Sequence, residues 1–232
     1  HNALLYKDLA DPIEFFRSSQ SSNRAVLQHF PYTSVTDPEK FGRGVVADYS
    51  SLMAETVRPL AEDILDRYSL NGRKTLLDVG GGEGAFLAEV AWRYQSIGLK
   101  LFDLPAVIEG AKIRLARLGL VGRVELSGGN FHQDPLPTGA DVITLVRVLL
   151  DHDDESVLGL LRRVRAALEP GGVVLIVEPF SGVRGAETVG DAYFGLYLRA
   201  MGRGRARRAD ELQALLMKAG FGGSRVHRTR YP

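Results

Sequence analysis

The segment that most constrains the fold is the run from Leu76 to Gly84, which reads Leu-Leu-Asp-Val-Gly-Gly-Gly-Glu-Gly. It predicts a short buried strand that ends near an acid, followed by a loop with glycine at every second position. Residues 85–96 contain neither proline nor glycine and predict a helix. Glycine is needed where the backbone turns sharply or lets a ligand approach without a Cβ in the way, and a helix N-terminus supplies free N–H groups. The sequence therefore predicts a strand, loop and helix that bind a ligand at the loop.

The spacing of the glycines and of two acids favours S-adenosylmethionine over a dinucleotide as this ligand. Dinucleotide-binding loops usually read G-x-G-x-x-G, whereas this loop reads Asp-x-Gly-x-Gly-x-Gly from Asp78 onward. A carboxylate at Asp78 would clash with a pyrophosphate but suits a ligand that carries an ammonium and a sulfonium. Asp103 follows 25 positions later, about the offset at which Rossmann-like folds bind a ribose diol. The alternative is a structural turn with a solvated Asp78.

Charge, cysteine and histidine content exclude several other classes of function. The 29 basic and 28 acidic side chains nearly cancel, so no global field directs the chain to nucleic acid or to an anionic membrane. Without cysteine the chain has no disulfide and no thiolate metal site, and its five histidines are too scattered to indicate a metal site. We find no signal-peptide pattern and no run of 18 apolar residues, and therefore expect a soluble, cytoplasmic protein.

The chain divides into two regions with different predicted secondary structure. Residues 1–70 predict helices, with Asp11-Pro12 as one helix start, that form a linker and lid over the mouth of the following domain. In residues 71–232 strands alternate with helices, as in a doubly wound, mostly parallel, Rossmann-like α/β sheet that carries the cofactor-binding catalytic domain. The predicted strands are 75–79, 99–102, 124–127, 141–148, 173–177 and a sixth around 224–230. The predicted helices are 84–93, 105–118, 154–168 and 210–219, with a polar, helix-rich insertion at 181–199.

The order of several motifs resembles that of a known enzyme family. The chain has Asp-Val-Gly-Gly-Gly-Glu-Gly at 78–84, Phe-Asp-Leu-Pro at 102–105, Gly-Asn-Phe at 129–131, Asp-Pro-Leu-Pro at 134–137 and Asp-Asp-Glu at 153–155. Over roughly residues 45–222 it is similar to the plant and bacterial small-molecule O-methyltransferases, which use S-adenosylmethionine and have the class I methyltransferase fold. The segments 49–55, 190–194 and 200–207 look most like the bacterial subgroup that methylates carotenoid hydroxyls.

The resemblance implies a set of residues that bind S-adenosyl-L-methionine, with S-adenosyl-L-homocysteine as the product. The three alternate glycines of the loop would surround the methionine part, Asp103 would bind the ribose, and Leu104 would lie beside the adenine. Asn130 replaces an acid that relatives place near the adenine, and its amide oxygen can still accept a hydrogen bond. Phe131 would stack on the adenine, or else belong to the ordinary core. The full cofactor set is Asp78, Gly80, Gly82, Gly84, Asp103, Leu104, Asn130, Phe131 and Arg147.

The chain departs from the resembling family where the acceptor reacts. Relatives read His-Asp-Trp after the fourth strand, and that histidine is the general base; the aligned residues here are Leu150, Asp151 and His152. A further acid of the family is Ala206 here. The candidate catalytic residues are His152 in a remodelled loop, Asp151, and Glu178 at the end of the fifth predicted strand, where ligands bind in such sheets. The alternatives are a helix cap for Asp151 or Asp153 and a surface or core-edge position for His152.

The predicted acceptor pocket is apolar and aromatic. An insertion with this composition after the fifth strand suits a long apolar substrate, although aromatic residues at helical spacing are more often core. The arginines within 203–208 predict a solvated turn, or a peripheral contact with anionic lipid, rather than a nucleic-acid site. The candidate substrate-binding residues are Phe30, Tyr32, Tyr49, Met53, Tyr193, Phe194, Tyr197 and Met201.

The resemblance also implies parts of the family fold that we do not find in this sequence. Family members carry an N-terminal winged-helix domain that makes the homodimer, so we expect a truncated chain and a homodimer of the full-length protein. An antiparallel seventh strand is expected after Tyr231-Pro232, and without it a slot in the sheet stays unpaired. The leading hypothesis is an O-methyltransferase for an apolar hydroxylated isoprenoid such as a hydroxycarotenoid. The alternatives are a phenolic or polyketide O-methyltransferase, a cofactor-binding homologue without transfer activity, and a nucleotide-dependent dehydrogenase.

Overall fold

The computed structural model describes residues 2–17, 24–29 and 57–230. Much of the helical region predicted within residues 1–70 lies outside these ranges. So do four predicted substrate-contacting residues, Phe30, Tyr32, Tyr49 and Met53. The remaining candidates of that set, on the insertion after the fifth strand, lie within the described part of the chain.

A five-stranded parallel sheet forms the centre of the fold. Its order is β3-β2-β1-β4-β5, and within the described residues β5 lies at one edge and pairs only with β4. The chain changes direction across the sheet at β1, and ligands bind at the carboxyl ends of strands beside such a switch point. The predicted doubly wound α/β class is confirmed. The strands are β1 (Thr75–Val79), β2 (Gly98–Asp103), β3 (Val124–Gly128), β4 (Ala140–Val146) and β5 (Leu168–Val177).

Helices surround this sheet. In the described ranges they are α1 (Asn2–Asp8), α2 (Pro12–Arg17), α3 (Ala25–His29), α4 (57–67), α5 (Ala85–Arg93), α6 (Pro105–Arg117), α7 (Asp154–Ala167), α8 (Phe194–Met201) and α9 (Ala209–Lys218). None of these helices combines the length and the apolar character that a membrane crossing requires. The predicted helices after β1, β2, β4 and the insertion are confirmed, with ends that shift by one or two residues.

Successive strand residues face opposite sides of the sheet, and helices cover both sides. Helices α4, α5 and α6 pack on the side that carries Leu76 and Leu101. Helices α7 and α9 pack on the opposite side, which carries Leu77 and Ile143. Because both sides are buried, apolar residues run almost continuously through the central strands. The domain boundary near residue 70 stays a prediction, since α4 shares its core with the sheet.

The N-terminal helices form a third apolar cluster with α8. Phe15 on α2 and Tyr197 on α8 are both buried in this cluster. The helix start predicted at Asp11-Pro12 is confirmed, and the Asp11 carboxylate accepts a backbone N–H of the first turn at 3.0 Å. The buried Arg24 donates to the carbonyls of Phe15 and Arg199. These bonds fix α2 and α3 on α8.

Two sequence predictions about strands are wrong. Residues around 224–230 form no strand; most of them are exposed, and the N–H of Arg230 donates to the buried Asp63 on α4. Strand β5 begins at Leu168 rather than at residue 173, because the chain around Gly171 continues along β4 through an irregularity in the pairing. The predicted helical insertion is present as a π-helical turn, Thr188–Tyr193, that leads directly into α8.

Candidate active site

The glycine-rich loop between β1 and α5 forms a cradle at the carboxyl end of β1. Gly80, Gly82 and Gly84 have φ angles of 69°, 60° and 77°, a left-handed backbone that other residues rarely adopt. Gly81 is restricted by space instead, because a Cβ there would overlap Asp78 Oδ2. A Cβ on Gly82 would meet nothing within 4 Å. The cradle is therefore packed against the sheet on one side and open on the other.

Asp103 ties this cradle to the end of β2. Its Oδ2 accepts the N–H of Gly82 at 2.8 Å, and its Oδ1 accepts the N–H of Leu104 at 2.7 Å. Burial raises the pKa of Asp103 to about 6, and the two backbone N–H groups oppose this increase. A carboxylate has about four acceptor positions, so both oxygens retain capacity to accept hydroxyl groups of a ligand.

Asp78 lies beneath the cradle and is completely buried. Thr144 Oγ1 on β4 donates to its Oδ1 at 2.6 Å, whereas its Oδ2 has no hydrogen-bond partner among the described residues. Burial raises the pKa of Asp78 to about 7; the bond from Thr144 opposes the increase and the charge of Asp103 adds to it. The structure thus places this predicted cofactor residue under the loop, against Gly81, rather than on the open side.

The loop after β3 closes the cradle from the side. Phe131 lies beside Gly80, with its Cε1 3.8 Å from the position that a Gly80 Cβ would take. The Oδ1 of the buried Asn130 accepts the N–H of His132 at 2.9 Å, and the N–H of Asn130 donates to Asp134 Oδ2 at 2.7 Å. The side-chain oxygen of Asn130, which the sequence predicts near the adenine, therefore already accepts a hydrogen bond within its own loop.

A short 3-10 turn, Leu149–Asp151, follows β4 at the same edge of the sheet. Glu178 holds this turn, since its Oε1 accepts the N–H of Val148 at 2.9 Å and that of Leu149 at 2.6 Å. Its Oε2 is buried and has no partner in the part of the chain that the structure describes. Burial raises the pKa of Glu178 to about 8, and the charge of Asp151 adds to the increase, whereas the backbone N–H groups oppose it. Burial therefore favours the protonated form of Glu178.

Arg207 holds the same turn from another side. Its guanidinium donates to the carbonyls of Leu149 at 2.8 Å and His152 at 2.6 Å, and to Asp154 Oδ1 at 2.8 Å. The side chain is only 4% exposed, so its predicted place in a solvated basic turn is wrong. The reason is that two carbonyls of the turn point inward, where only a long cationic donor reaches them.

We expect Arg207→Met to lower the free energy of unfolding by about 2–4 kcal/mol, because two carbonyls lose a charged donor and Asp154 loses its partner. Urea denaturation followed by circular dichroism measures this change. Arg208→Met is the matched control, since Arg208 is exposed and pairs with Asp210 at the surface; it should leave the denaturation midpoint unchanged. An unchanged midpoint for Arg207→Met would show that the turn does not depend on this side chain.

His152 lies on the cradle side of the turn. Its ring meets Phe131 edge-on with centroids 5.4 Å apart, and the ring of His132 is 4.9 Å away. Burial, His132 and nearby arginines lower the pKa of His152 to about 3, and its Nδ1 is buried without a partner among the described residues. A histidine with so low a pKa is a weak base. The structure therefore disfavours His152 as the proton acceptor.

Asp151 is half-buried at the end of the turn. Burial raises the pKa of Asp151 to about 7, and the charges of Arg147 and Arg203 oppose the increase. Arg147 has a φ of 55° and is the single non-glycine residue with a left-handed backbone in the described ranges. This strained conformation redirects the chain from β4 into the turn. The charge of Arg147 lowers the pKa of Asp151. The predicted contact of Arg147 with a cofactor stays a prediction.

The opposite side of the turn is apolar. Leu150, which stands where the resembling family has its base, is 6% exposed and belongs to the cluster of the N-terminal helices and α8. Tyr193 and Tyr197 stack with centroids 6.1 Å apart, and Phe194 meets both edge-on. The structure therefore brings Leu150 together with the predicted substrate residues on α8, Met201 included.

Comparison with known proteins assigns the chain to a family. Residues 6–222 match the O-methyltransferase domain. Over 225 residues the chain is 47% identical to the demethylspheroidene O-methyltransferase of Cereibacter sphaeroides. The aligned stretch covers 95% of this chain and 58% of that protein. The chain belongs to the O-methyltransferase domain family. The family resemblance predicted from the motifs is confirmed.

Two further proteins to which the chain is similar have different names. The human N-acetylserotonin methyltransferase, solved in complex with SAM, aligns with a TM-score of 0.74 and 26% identity over 94% of this chain and 61% of that chain. The aclacinomycin 10-hydroxylase of Streptomyces purpurascens is 38% identical over 158 residues, which are 67% of this chain and 42% of that protein.

Two residues of this site were not predicted from the sequence. Thr144 is the donor to Asp78, and Arg207 holds the turn that carries Asp151. A polar residue inside the apolar run of β4 was a signal that could have identified Thr144. Arg207 carried no such signal, because it stands among arginines that lie at the surface.

Proposed function

We propose that the protein is an S-adenosylmethionine-dependent O-methyltransferase that methylates a hydroxyl of an apolar small molecule, with a hydroxycarotenoid as the acceptor. The observation that carries this proposal is the 47% identity, over 95% of the chain, to a demethylspheroidene O-methyltransferase. The chain spans 58% of the length of that relative, so the activity of the whole protein belongs to the proposal.

The residues of the cradle fit S-adenosylmethionine. The open side above Gly82 lets a ligand approach the backbone, and Asp103 retains acceptor positions for ribose hydroxyls. The unpartnered oxygen of Asp78 under the loop favours a cation above it. When bound, S-adenosylmethionine supplies a methyl group on a positively charged sulfur. We assign Leu104, Asn130 and Phe131 to the adenine end, as the sequence predicts.

The turn after β4 is suited to the acceptor. We assign the hydroxyl proton to Asp151, while Glu178 keeps its own proton and holds the turn in place. An alcohol has a far higher pKa than Asp151, so the proton leaves as the oxygen attacks and not before. The buried Leu150 and its apolar neighbours exclude water from this side and offer an apolar surface to the acceptor.

One observation favours a second candidate function. A relative that is 38% identical over 67% of this chain is named a hydroxylase rather than a methyltransferase. Leu150 at the base position is compatible with a protein that binds the cofactor without transferring its methyl group. Tight binding of S-adenosylhomocysteine, with no transfer to any acceptor, would support this candidate.

An incubation with methyl-labelled S-adenosylmethionine separates these functions. The proposal requires label in a hydroxycarotenoid, and label confined to phenols or polyketide phenols would replace it by the phenolic alternative. Label in no acceptor despite cofactor binding favours the second candidate. Binding of NAD in preference to S-adenosylhomocysteine would overturn both and revive a dehydrogenase.

We expect Leu150→His to shift acceptor preference toward phenols. The imidazole would stand at the turn, where it can take the proton of a phenol, whose pKa is much nearer to that of histidine. The ratio of kcat/KM for a phenol to that for the hydroxycarotenoid should rise about 10- to 100-fold. Competition between the two acceptors measures this ratio. Leu150→Gln is the control, polar but not basic, and an equal rise in that variant would contradict the explanation.

We also propose a homodimer of the full-length protein, a cytoplasmic location and a peripheral contact with the membrane that holds the acceptor. Three exposed apolar side chains on α1 and α2, Tyr6, Ile13 and Phe16, support a membrane or subunit contact. The arginines within 203–208 support a membrane contact less, because Arg205 pairs with Asp154 and Glu211. The nearly neutral composition argues against nucleic acid as a partner. Light scattering and sedimentation with lipid vesicles test these points.

A further inference from the structure

Asp78 occupies an unusual electrostatic position beneath the cradle. It is 0% exposed, with one oxygen bonded to Thr144 Oγ1 and the other pressed against Gly81. In the described part of the chain, the charged group that changes the pKa of Asp78 is Asp103 on the neighbouring strand. An ionised Asp103 carries the same negative charge as an ionised Asp78. An ionised Asp78 therefore has a single hydrogen-bond donor and no opposite charge, which is costly for a buried carboxylate.

We propose that Asp78 makes this site prefer the charged methyl donor to its neutral product, by losing its proton when the donor binds and regaining one when the product replaces it. The inference rests on the proposed cofactor. Its physical basis is that a cation above Gly81 gives the ionised carboxylate the opposite charge that its surroundings lack. The glycine at this position lets the loop backbone lie directly on the carboxylate, because a Cβ there would overlap Asp78 Oδ2.

The comparison between donor and product isolates this effect. S-adenosylmethionine and S-adenosylhomocysteine share the ribose and the adenine, so a proton exchanged at Asp103 on ribose binding is common to both. They differ in the methyl group and in the charge on sulfur. Only groups that sense the sulfur contribute to the difference in proton release, and Asp78→Asn separates the share of Asp78 from that of Asp151, whose pKa burial also raises to about 7. Burial raises the pKa of Asp78 to about 7, which places this exchange in an accessible pH range.

The protons balance over one reaction cycle. Asp78 releases one proton to solvent when the donor binds, and the acceptor hydroxyl releases one proton as its oxygen–carbon bond forms and the sulfur–carbon bond breaks. Asp78 then takes up one proton when the neutral product remains. The net result is one proton released per methyl group transferred, as the overall reaction requires.

Isothermal titration calorimetry of the chain at pH 6.5, in two buffers of different ionisation enthalpy, counts the protons released. We expect up to one more proton released with S-adenosylmethionine than with S-adenosylhomocysteine, because the donor lowers the pKa of Asp78. The ratio of the affinity for S-adenosylmethionine to that for S-adenosylhomocysteine should then increase up to about tenfold for each pH unit as the pH rises toward 7, and should stay constant above pH 7. In Asp78→Asn both ligands should release equal numbers of protons, and the preference should no longer depend on pH.

Two further variants secure the interpretation. Thr144→Val removes the hydrogen-bond donor that favours the ionised form of Asp78. The pH above which the affinity ratio stays constant should therefore move upward in this variant. This variant tests the inference if Asp78→Asn does not fold. Glu178→Gln removes another buried acid and should leave the difference in protons as in the wild type. Equal proton release for the two ligands in the wild type, or a difference retained in Asp78→Asn, would overturn the inference while leaving the proposed function intact. A chain that binds neither ligand would overturn both.

Discussion

Asp103→Ala should weaken the binding of S-adenosylhomocysteine about 100- to 1,000-fold, the equivalent of losing two hydrogen bonds to a charged group. The carboxylate has two tasks in the proposed site: it accepts the N–H groups of Gly82 and Leu104 and retains positions for the ribose hydroxyls. Alanine removes both the ligand contact and the bond that holds the cradle against β2. Calorimetry with S-adenosylhomocysteine measures the loss directly, without reference to any acceptor.

Asp141 provides a matched control for this result. It is also an acid that accepts backbone N–H groups between neighbouring strands, from Lys74 at 3.1 Å and from Thr75 at 2.8 Å. These bonds lie at the amino ends of the strands, away from the cradle. Asp141→Ala should therefore lower the melting temperature and leave the affinity unchanged. If both variants lost affinity equally, the effect would come from general damage to the sheet and not from a lost ligand contact.

Glu178→Ala should lower methyl transfer about 100-fold or more and destabilise the fold by about 2–4 kcal/mol. Without the carboxyl group the N–H groups of Val148 and Leu149 lose their acceptor, and the turn that carries Asp151 is no longer fixed. Transfer assays and urea denaturation measure the two effects. Glu178→Gln is the control, because its amide oxygen can accept the same N–H groups. It should be at least as stable as the wild type at neutral pH and should retain most of the methyl-transfer rate, because the turn that carries Asp151 stays fixed.

The same pair of variants predicts a change in the pH dependence of stability. The pKa of Glu178 is about 8 in the folded chain and near its ordinary value of 4.5 in the unfolded chain. Between these values the folded chain binds more protons, so stability falls as the pH rises from about 4.5 to about 8. In Glu178→Gln this contribution disappears, and the slope should lessen by up to about 1.4 kcal/mol per pH unit. Equal slopes for the two proteins would show that Glu178 is ionised at neutral pH.

The sequence was sufficient to predict the sheet, because apolar strands, glycine turns and helices alternate with clear boundaries. It also predicted the glycine loop and Asp103, since loop geometry and strand ends depend on local spacing. The sixth strand was wrong because residues 224–230 contain a single apolar residue, Val226, and therefore have little apolar surface to bury on a sheet. The early start of β5 was missed for a similar reason, since Gly171 and its neighbours read as a turn.

The acceptor side was harder to predict from the sequence. His152 was a reasonable base by residue type, yet its pKa depends on burial between Phe131 and His132, which no spacing reveals. The partners of Arg207 lie more than fifty positions away along the chain. Contacts of this kind arise only when the turn and the segment before α9 meet in the fold.

The separation of the two sides of the turn after β4 has an evolutionary consequence. Residues that face the cradle come from the sheet and its adjoining loops, whereas Leu150 packs among residues of the N-terminal helices and α8. In the proposed site, changes in those helices would therefore alter the surface assigned to the acceptor without disturbing the cradle assigned to the methyl donor. A lineage built on this plan can acquire new substrates by mutation in one half while the other is preserved, in keeping with relatives named for compounds as unlike as a carotenoid and N-acetylserotonin.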